Sequence, residues 1–448
     1  MVQRNFLMLS CVAILIFFMT TLLLRIGAKV ILIDRLHMDN AFTRVLFIDN
    51  PSFSDDNNDE ATSKNRKPAK WSELYPFAQQ AADTVSNYKT FSISNLTGRI
   101  KAIEAKVERT SSNFLFGYDN YVELSNAYKK LIDWNLVSYQ EYNGVNELEE
   151  GYLTWFSSKT DTKEHVATIS EFNDYCRSLG INFLYVQTPS KISKYQDTSL
   201  SGEMDFSNQN ADSLLEGLSK NNVLCLDIRE EFSKENFNHH EKFFKTDHHW
   251  KPETGLWATQ LIAQTLNRDF QTDFDSRLLE ETAWEGVVYK ERMFGSQGKK
   301  VTLARSKPED ITLFYPKFPT KIHYVIPECD IDLTGDFSVS YDELPTDSKK
   351  YIPYETYNHG SQAIISIENL IPTNNTRVLI IGDSFIDTVA PFICLSVKHL
   401  DVLDERFFTG SIRKYVEVTR PDVVIVSYSA STLSPIDFSA HKSHFDYR

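Results

Sequence analysis

The chain has 448 residues, 42 % of them apolar and 24 % charged, a mixture able to fill the core of one large or two modest domains. Its formal net charge of −14, with no long basic stripe, argues against nucleic acid as a partner, because phosphate contacts need clustered Lys and Arg. Five cysteines without a CxxC spacing disfavour a zinc knuckle and leave open one disulfide among Cys176, Cys225, Cys329 and Cys394.

In chain order, the first event is Phe6 to Leu24, nineteen residues without a charge and long enough to span a bilayer as a helix. The run exceeds a signal-peptide core and shows no small-residue cleavage pattern, so residues 1–30 are expected to be an uncleaved signal anchor crossing once. Arg25, Lys29 and Arg35 follow it and pull against an outward-facing C-terminal part, since positive residues favour the cytoplasmic side. Residues 31–70 read as a polar linker, with PSFSDDNNDEATSKNRKPAK at 51–70 a flexible tether that has almost nothing to bury. From Trp71 the pattern turns helical, and 71–160 is expected to form a helical N-terminal part of a domain running to residue 448. Leu96, Ile100, Ile103 and Val107 share one helix face there, to dock on the parent domain or to self-associate.

Beyond about Thr162, helix and strand alternate. The expected elements are a helix over Glu164 to Ser178 closed by Gly180, the strand INFLYVQTP at 181–189, a helix over Ala211 to Ser219 and the strand VLCLDI at 223–228. A helix at 252–266 opens on Pro252. The strand RVLIIGDS at 377–384 then leads into a helix reaching about His399, and DVVIVSY at 422–428 is the last strand. Near-continuous apolar strands between helices predict an α/β fold with a parallel sheet flanked by helices. Residues 280–372 break the pattern, and ITLFYPKF, KIHYVI and FSVSY predict a β-rich insertion.

The chemistry-bearing residues lie at two places. Strand 377–381 runs into Gly382-Asp383-Ser384-Phe385, which sets a Ser at a strand-to-helix turn, where open sheets bind ligands and helix N–H groups can steady developing negative charge. The plain alternative is an ordinary helix start with Asp383 or Ser384 as N-cap. A Ser hydroxyl needs a base and a group to orient that base. Thr246-Asp247-His248-His249-Trp250 supplies both, because D-x-H spacing in an extended segment puts Asp247 and His249 on one side. A competing reading takes His239, His240, Asp247, His248 and His249 as a zinc set; against it stand the lack of HxxxH spacing and of a cysteine ligand, and the expectation is no metal.

TDHHW at 246–250, followed by the helix from Pro252, resembles the signature of the bacterial DHHW protein family. That family is similar to the SGNH-like domains of alginate O-acetyltransferase-type proteins, which act on exported polysaccharide. WSELYPF at 71–77, NGVNELEEGYL at 143–153, TPSKI at 188–192, FGSQGKK at 294–300, GDSF at 382–385, LDERFFTG at 403–410 and RPDVVIV at 420–426 extend the likeness from Trp71 to Tyr428. It implies an SGNH-hydrolase-like sheet with the Asp and His placed ahead of the Ser, the permuted order of the alginate-type domains. Carried over by position, Ser384 is the nucleophile, His249 the base and Asp247 its orienting partner. The SGNH pattern takes an oxyanion-hole Asn from a GxND block, whereas the matching strand end reads Val426-Ser427-Tyr428-Ser429-Ala430. The oxyanion then falls to the backbone N–H of Ser384 or Gly410, or to Arg406. Asp383, Trp250 and Lys191 join them as oxyanion or substrate-binding candidates. FGSQGKK fits an acidic sugar or a plain turn with solvated lysines.

The expected function is acetyl transfer to a cell-surface or exported polysaccharide through an acyl-serine, with no cofactor. An outward-facing domain anchored in a bacterial cytoplasmic membrane has no acetyl-CoA, so the resemblance implies a multi-spanning membrane partner that delivers the acyl group. A carbohydrate esterase using the same three residues, and a non-catalytic glycan-binding or assembly component, are the alternatives.

Overall fold

Strands that are apolar on both faces need cover on both sides, and the computed structural model supplies it. The structure describes residues 141–142, 144–197, 204–303, 305–346, 351–433 and 444–447. The apolar segment 6–24, the linker 31–70 and the stripe at 96–107 lie outside these residues. Among the described residues no helix is long and apolar enough to cross a membrane.

The described chain opens on three short antiparallel strands, β1 (Glu141–Tyr142), β2 (Val145–Glu147) and β3 (Leu153–Thr154), where a helical part had been expected. Next, α1 (Lys163–Ser178) buries His165, Ile169, Phe172 and Cys176 at four-three-four spacing. It stops where Gly180 takes φ +74° and the Ile181 amide reaches back to the Cys176 carbonyl. Then come β4 (Asn182–Thr188), α2 (Ser207–Lys220), β5 (Cys225–Asp227) and α3 (Ile228–Lys234). α4 (Pro252–Phe270) opens on its proline as expected and runs past residue 266. β6 (Trp284–Met293), α5 (Ser296–Val301), β7 (Glu309–Pro316), β8 (Ile322–Ile326), β9 (Ile331–Gly335) and β10 (Ile364–Asn369) precede β11 (Arg377–Gly382). The chain then forms α6 (Ala390–Ile393), β12 (His399–Leu403), α7 (Ile412–Thr419) and β13 (Val423–Ser429).

Two expectations fail locally. FSVSY is not a strand: Phe337–Ser340 is a 3-10 turn started by the Asp336 carboxylate, which accepts from the Ser338 amide. The apolar run after Ser384 is not one helix either. It divides into a 3-10 turn (Ser384–Thr388), the four-residue α6 with Pro391 in its first turn, and a second 3-10 turn (Cys394–Ser396). Pro391 cannot donate to a preceding turn, which removes the hydrogen bond a continuous helix would need.

The sheet is mixed rather than parallel. Its order is β5-β4-β13-β11-β12-β10-β8-β9, with parallel pairing from β5 through β12 and antiparallel pairing from β12 through β9. Residues 280–372 are β-rich as expected, carrying β6 to β10: β8, β9 and β10 extend the central sheet, and β6 pairs with β7 in a two-stranded sheet of its own. Alternate residues of the parallel strands face opposite layers. Leu184, Val186, Val378, Ile380 and Ile425 pack with Leu256 and Ile262 of α4, while Phe183, Tyr185, Leu379, Ile381 and Val426 pack with α1, α2 and α7. Cys176, Cys225, Cys329 and Cys394 are free thiols. Because β4, β11 and β13 run the same way, their carboxyl ends share one edge, and Lys191, Ser384 and Ser429 lie there.

α4 lies hard against the turn that carries Ser384. A Cβ built on Gly255 would fall 2.4 Å from the Thr388 carbonyl oxygen and 2.6 Å from its hydroxyl. Alanine at 255 would gain roughly 1 kcal/mol of helix propensity but force an overpacking cost of about 1–3 kcal/mol. Gly255→Ala is expected to lower the unfolding free energy measured by urea titration; a more stable variant would show that this contact is slack.

Candidate active site

The nucleophile end is built by β11 and β13. A Cβ at Gly382 would lie 2.3 Å from the Ser427 carbonyl oxygen, so only glycine lets the two strands close at this point. Asp383 then turns the chain. Its carboxylate accepts from the Phe385 amide at 3.2 Å, the Ser429 amide at 2.7 Å and the Thr432 hydroxyl at 2.7 Å. It is thus an N-cap, as the plain reading had it, and also a clamp onto the end of β13; burial raises its pKa against those donors.

The base end is a closed loop, not an extended segment. Phe243 bridges Trp250, and the Phe244 amide donates to the His249 carbonyl at 3.2 Å, so residues 245–249 bulge between them. Within the bulge the His249 amide donates to Asp247 Oδ1 at 3.1 Å, and this local turn is what sets the two side chains together. Glu309 of β7 holds the loop from one side by accepting from the Lys245 and Thr246 amides at 2.9 and 2.8 Å and from the Thr246 hydroxyl at 2.7 Å.

These two ends, 135 residues apart in sequence, meet. His249 Nε2 lies 2.6 Å from Ser384 Oγ, and His249 Nδ1 lies 2.6 Å from Asp247 Oδ1. With Asp247 ionised, Nδ1–H donates to it and Nε2 is left to accept the serine proton. Asp247, His249 and Ser384 are 0 %, 3 % and 5 % exposed, so the chain of hydrogen bonds is shielded from bulk water. Burial would raise the Asp247 pKa, but the charges of His249 and His248, the His249 hydrogen bond and the Ser296 amide outweigh it and hold the carboxyl well below its usual range.

Other candidates take different places. Trp250 is fully buried, and its Nε1–H donates to Thr388 Oγ1 at 2.7 Å, which makes it an anchor between the loop and the serine turn rather than a substrate surface. Lys191 is not on the rim: it is buried, and its Nζ donates to the Leu153 and Asp247 carbonyls and to Gln297 Oε1. Arg406 is committed to Asp404 by Nε at 3.0 Å and Nη2 at 2.6 Å, and Gly410 is exposed beside Phe408. His239 Nε2–H donates to the Ser190 carbonyl at 2.8 Å, and His240 pairs with Asp197 at 3.0 Å, so the five-residue zinc set is not assembled. Asp247, His248 and His249 do offer three donor atoms within 4.8 Å of one another. The Asp247 oxygens and both His249 nitrogens are already engaged in the hydrogen bonds above, which a metal would have to displace.

Three residues take roles that the sequence reading did not give them. Gly295 and Ser296 of FGSQGKK, read as a loop, open α5 against Asp247. The Ser296 amide donates to Asp247 Oδ2 at 2.7 Å, and a Cβ at Gly295 would sit 2.2 Å from the Asp247 side chain. Tyr354 stacks on the His249 ring at 3.9 Å and 6°, and its hydroxyl donates to the Ser384 carbonyl at 3.1 Å. No sequence pattern linked any of the three to Asp247 or His249.

Burial pulls Lys191 down to about 7, opposed by the charges of Asp247 and Glu309. An unfolded lysine keeps its proton to about 10.4. Between these pH values the unfolded chain binds more protons, so this group adds stability as pH rises, in full above the unfolded pKa, and the gain is lost as pH falls toward 7. The unfolding free energy of the wild type minus that of Lys191→Met should rise on the order of 4 kcal/mol between pH 7 and pH 10. A difference that stays flat across that range would contradict the assignment.

Residues 149–303 match a family model described as the SGNH hydrolase-like domain of acetyltransferase AlgX. Among solved structures, a DHHW family protein from Eubacterium siraeum is 17 % identical over 65 % of this chain and 92 % of its own, with a TM-score of 0.52. PatB1 of Bacillus cereus is 19 % identical over 66 % of this chain and 98 % of its own, with a TM-score of 0.53. The same protein carrying a sulfonyl adduct gives 17 %, 68 %, 99 % and 0.54. A comparison with curated proteins finds no match. At such identities the structural likeness speaks for the fold. Motif, family model and fold agree: the chain is similar to the SGNH hydrolase-like domain of acetyltransferase AlgX over residues 149–303, on an SGNH-like α/β fold shared with a DHHW family protein.

Proposed function

We propose that this chain transfers an acyl group, acetyl in the first instance, to a hydroxyl of a cell-surface or exported polysaccharide through an acyl-serine at Ser384. The observation that carries the reading is the unbroken Ser384–His249–Asp247 hydrogen-bond chain, each link 2.6 Å long. Ser384 Oγ attacks the donor carbonyl while His249 Nε2 takes its proton; the leaving group recovers that proton as the acyl-serine forms. A glycan hydroxyl then gives its proton to His249 and attacks the acyl carbonyl, which restores the serine. The oxyanion of each tetrahedral intermediate is assigned to the Ser384 backbone N–H at the start of its 3-10 turn.

The similarity to an acetyltransferase domain supports the choice of acyl group, and the uncharged run at 6–24 supports an anchored chain; an exported polysaccharide as acceptor puts its domain on the outer face of a bacterial cytoplasmic membrane. A domain placed there needs a membrane-spanning partner that brings the acyl group across the bilayer.

A sulfonyl fluoride should modify the full chain once, at Ser384 by peptide mass spectrometry, and leave Ser384→Ala untouched. Equal labelling of the two proteins would overturn the reading. Asp247→Asn, which favours the wrong imidazole tautomer, is expected to lower kcat for a small acyl ester by about 10⁴-fold. Product analysis with and without glycan acceptor separates transfer, which yields acylated glycan, from hydrolysis.

A further inference from the structure

Lys191 is a buried amino group, charged below a pKa of about 7, for which the acyl-transfer steps have no use. Its Nζ donates to the main-chain carbonyls of Leu153 and Asp247, lies 3.4 Å from the Lys245 carbonyl and 3.1 Å from Gln297 Oε1. An ammonium has three donors and no acceptor, so a ring of oxygens is the surrounding it needs. The four oxygens come from β3, the 245–249 loop and α5. Gln297 follows Ser296, whose amide grips the Asp247 carboxylate, while Gly295 packs against the same side chain with no room to spare. The carboxylate is thus held in front by α5, and the main chain of the same residue is held from behind by the ammonium.

We propose that Lys191 is a positioning residue: its ammonium draws the Asp247 carbonyl to Leu153 and Gln297, fixing the Asp247 backbone where its carboxylate meets His249, and the oxygen cage accepts a free primary ammonium in its place. The inference rests on the acyl-serine reading above. It makes Lys191 an internal brace for the orienting carboxylate, whose loss acts on the rate of chemistry and not on substrate binding. A misplacement on the scale of 1 Å near a reacting group is able to cost about 10²-fold in rate.

The test compares full-length wild type, Lys191→Ala and Ser384→Ala on a small acyl ester at about pH 6, below the pKa of Lys191, where its ammonium form is present. Lys191→Ala should lose kcat by about 10²-fold with KM little changed, and methylammonium or ethylammonium should restore part of the loss where tetramethylammonium at equal concentration does not. A kcat equal to wild type, or a loss that no primary ammonium relieves, overturns the proposal. Ser384→Ala shows which idea has failed: if it retains activity, the acyl-serine itself is wrong, and if it alone is inactive, only the brace is wrong. Should Lys191→Ala not fold, Gln297→Met carries the test, since it removes one cage oxygen and keeps the volume. A several-fold fall in its kcat supports the brace, and wild-type kcat overturns it.

Discussion

A carboxylate taken wholly out of water must be met by donors, and Asp247 is the buried group whose needs shape this site. One of its oxygens accepts from the His249 ring and the His249 amide, and the other accepts from the Ser296 amide. To bring those donors together the chain closes the 245–249 bulge with a Phe243–Trp250 bridge, starts α5 on glycine, and ties the bulge to β7 through Glu309. Each device costs some local freedom. Together they replace the water that Asp247 gave up, and they aim one imidazole.

The serine end is aimed by independent means. Gly382 allows β11 to approach β13, Asp383 clamps the turn to Ser429 and Thr432, and α4 presses Gly255 onto Thr388. Thr388 is where the two ends are joined, because its hydroxyl accepts from Trp250 Nε1 and lies 3.1 Å from the Tyr354 hydroxyl, which itself donates to the Ser384 carbonyl. Tyr354 thus lays its ring along the imidazole and its hydroxyl on the serine turn. Such packing leaves the imidazole and the hydroxyl one line of approach to each other, the preorganisation that acyl transfer would draw upon.

Much of this was legible because the chemistry restricts residue type. A base and its orienting acid two positions apart, and a Ser at the end of an apolar strand, stand out as Asp247, His249 and Ser384. The strands at 182–188, 377–382 and 423–429 stand out for a related reason, since burial on both faces removes polar residues from them. What stayed hidden acts through the main chain or through shape. Lys191 was a candidate, but its role was not legible because it binds carbonyls, which every residue carries; Gly295 matters for the atom it lacks; Tyr354 stacks from 105 positions beyond His249 with no pattern to link them. HLDVL at 399–403 was missed as a strand because it follows an apolar run that reads as helix, and Pro391 was the overlooked sign of a break. The strands at 322–326 and 364–369 show the alternation of any half-covered sheet, which cannot tell an insertion from an extension of the central one.

The account stands on the protonation pattern of a single ring. Nitrogen-15 NMR of the full chain labelled in histidine, with His249 assigned from the resonances lost in His249→Ala, reads that pattern directly near neutral pH. For the neutral form of the ring the prediction is a proton on Nδ1, toward Asp247, and a bare Nε2 facing Ser384. A proton found on Nε2 with Nδ1 bare would contradict it, because that ring could not take a proton from the serine.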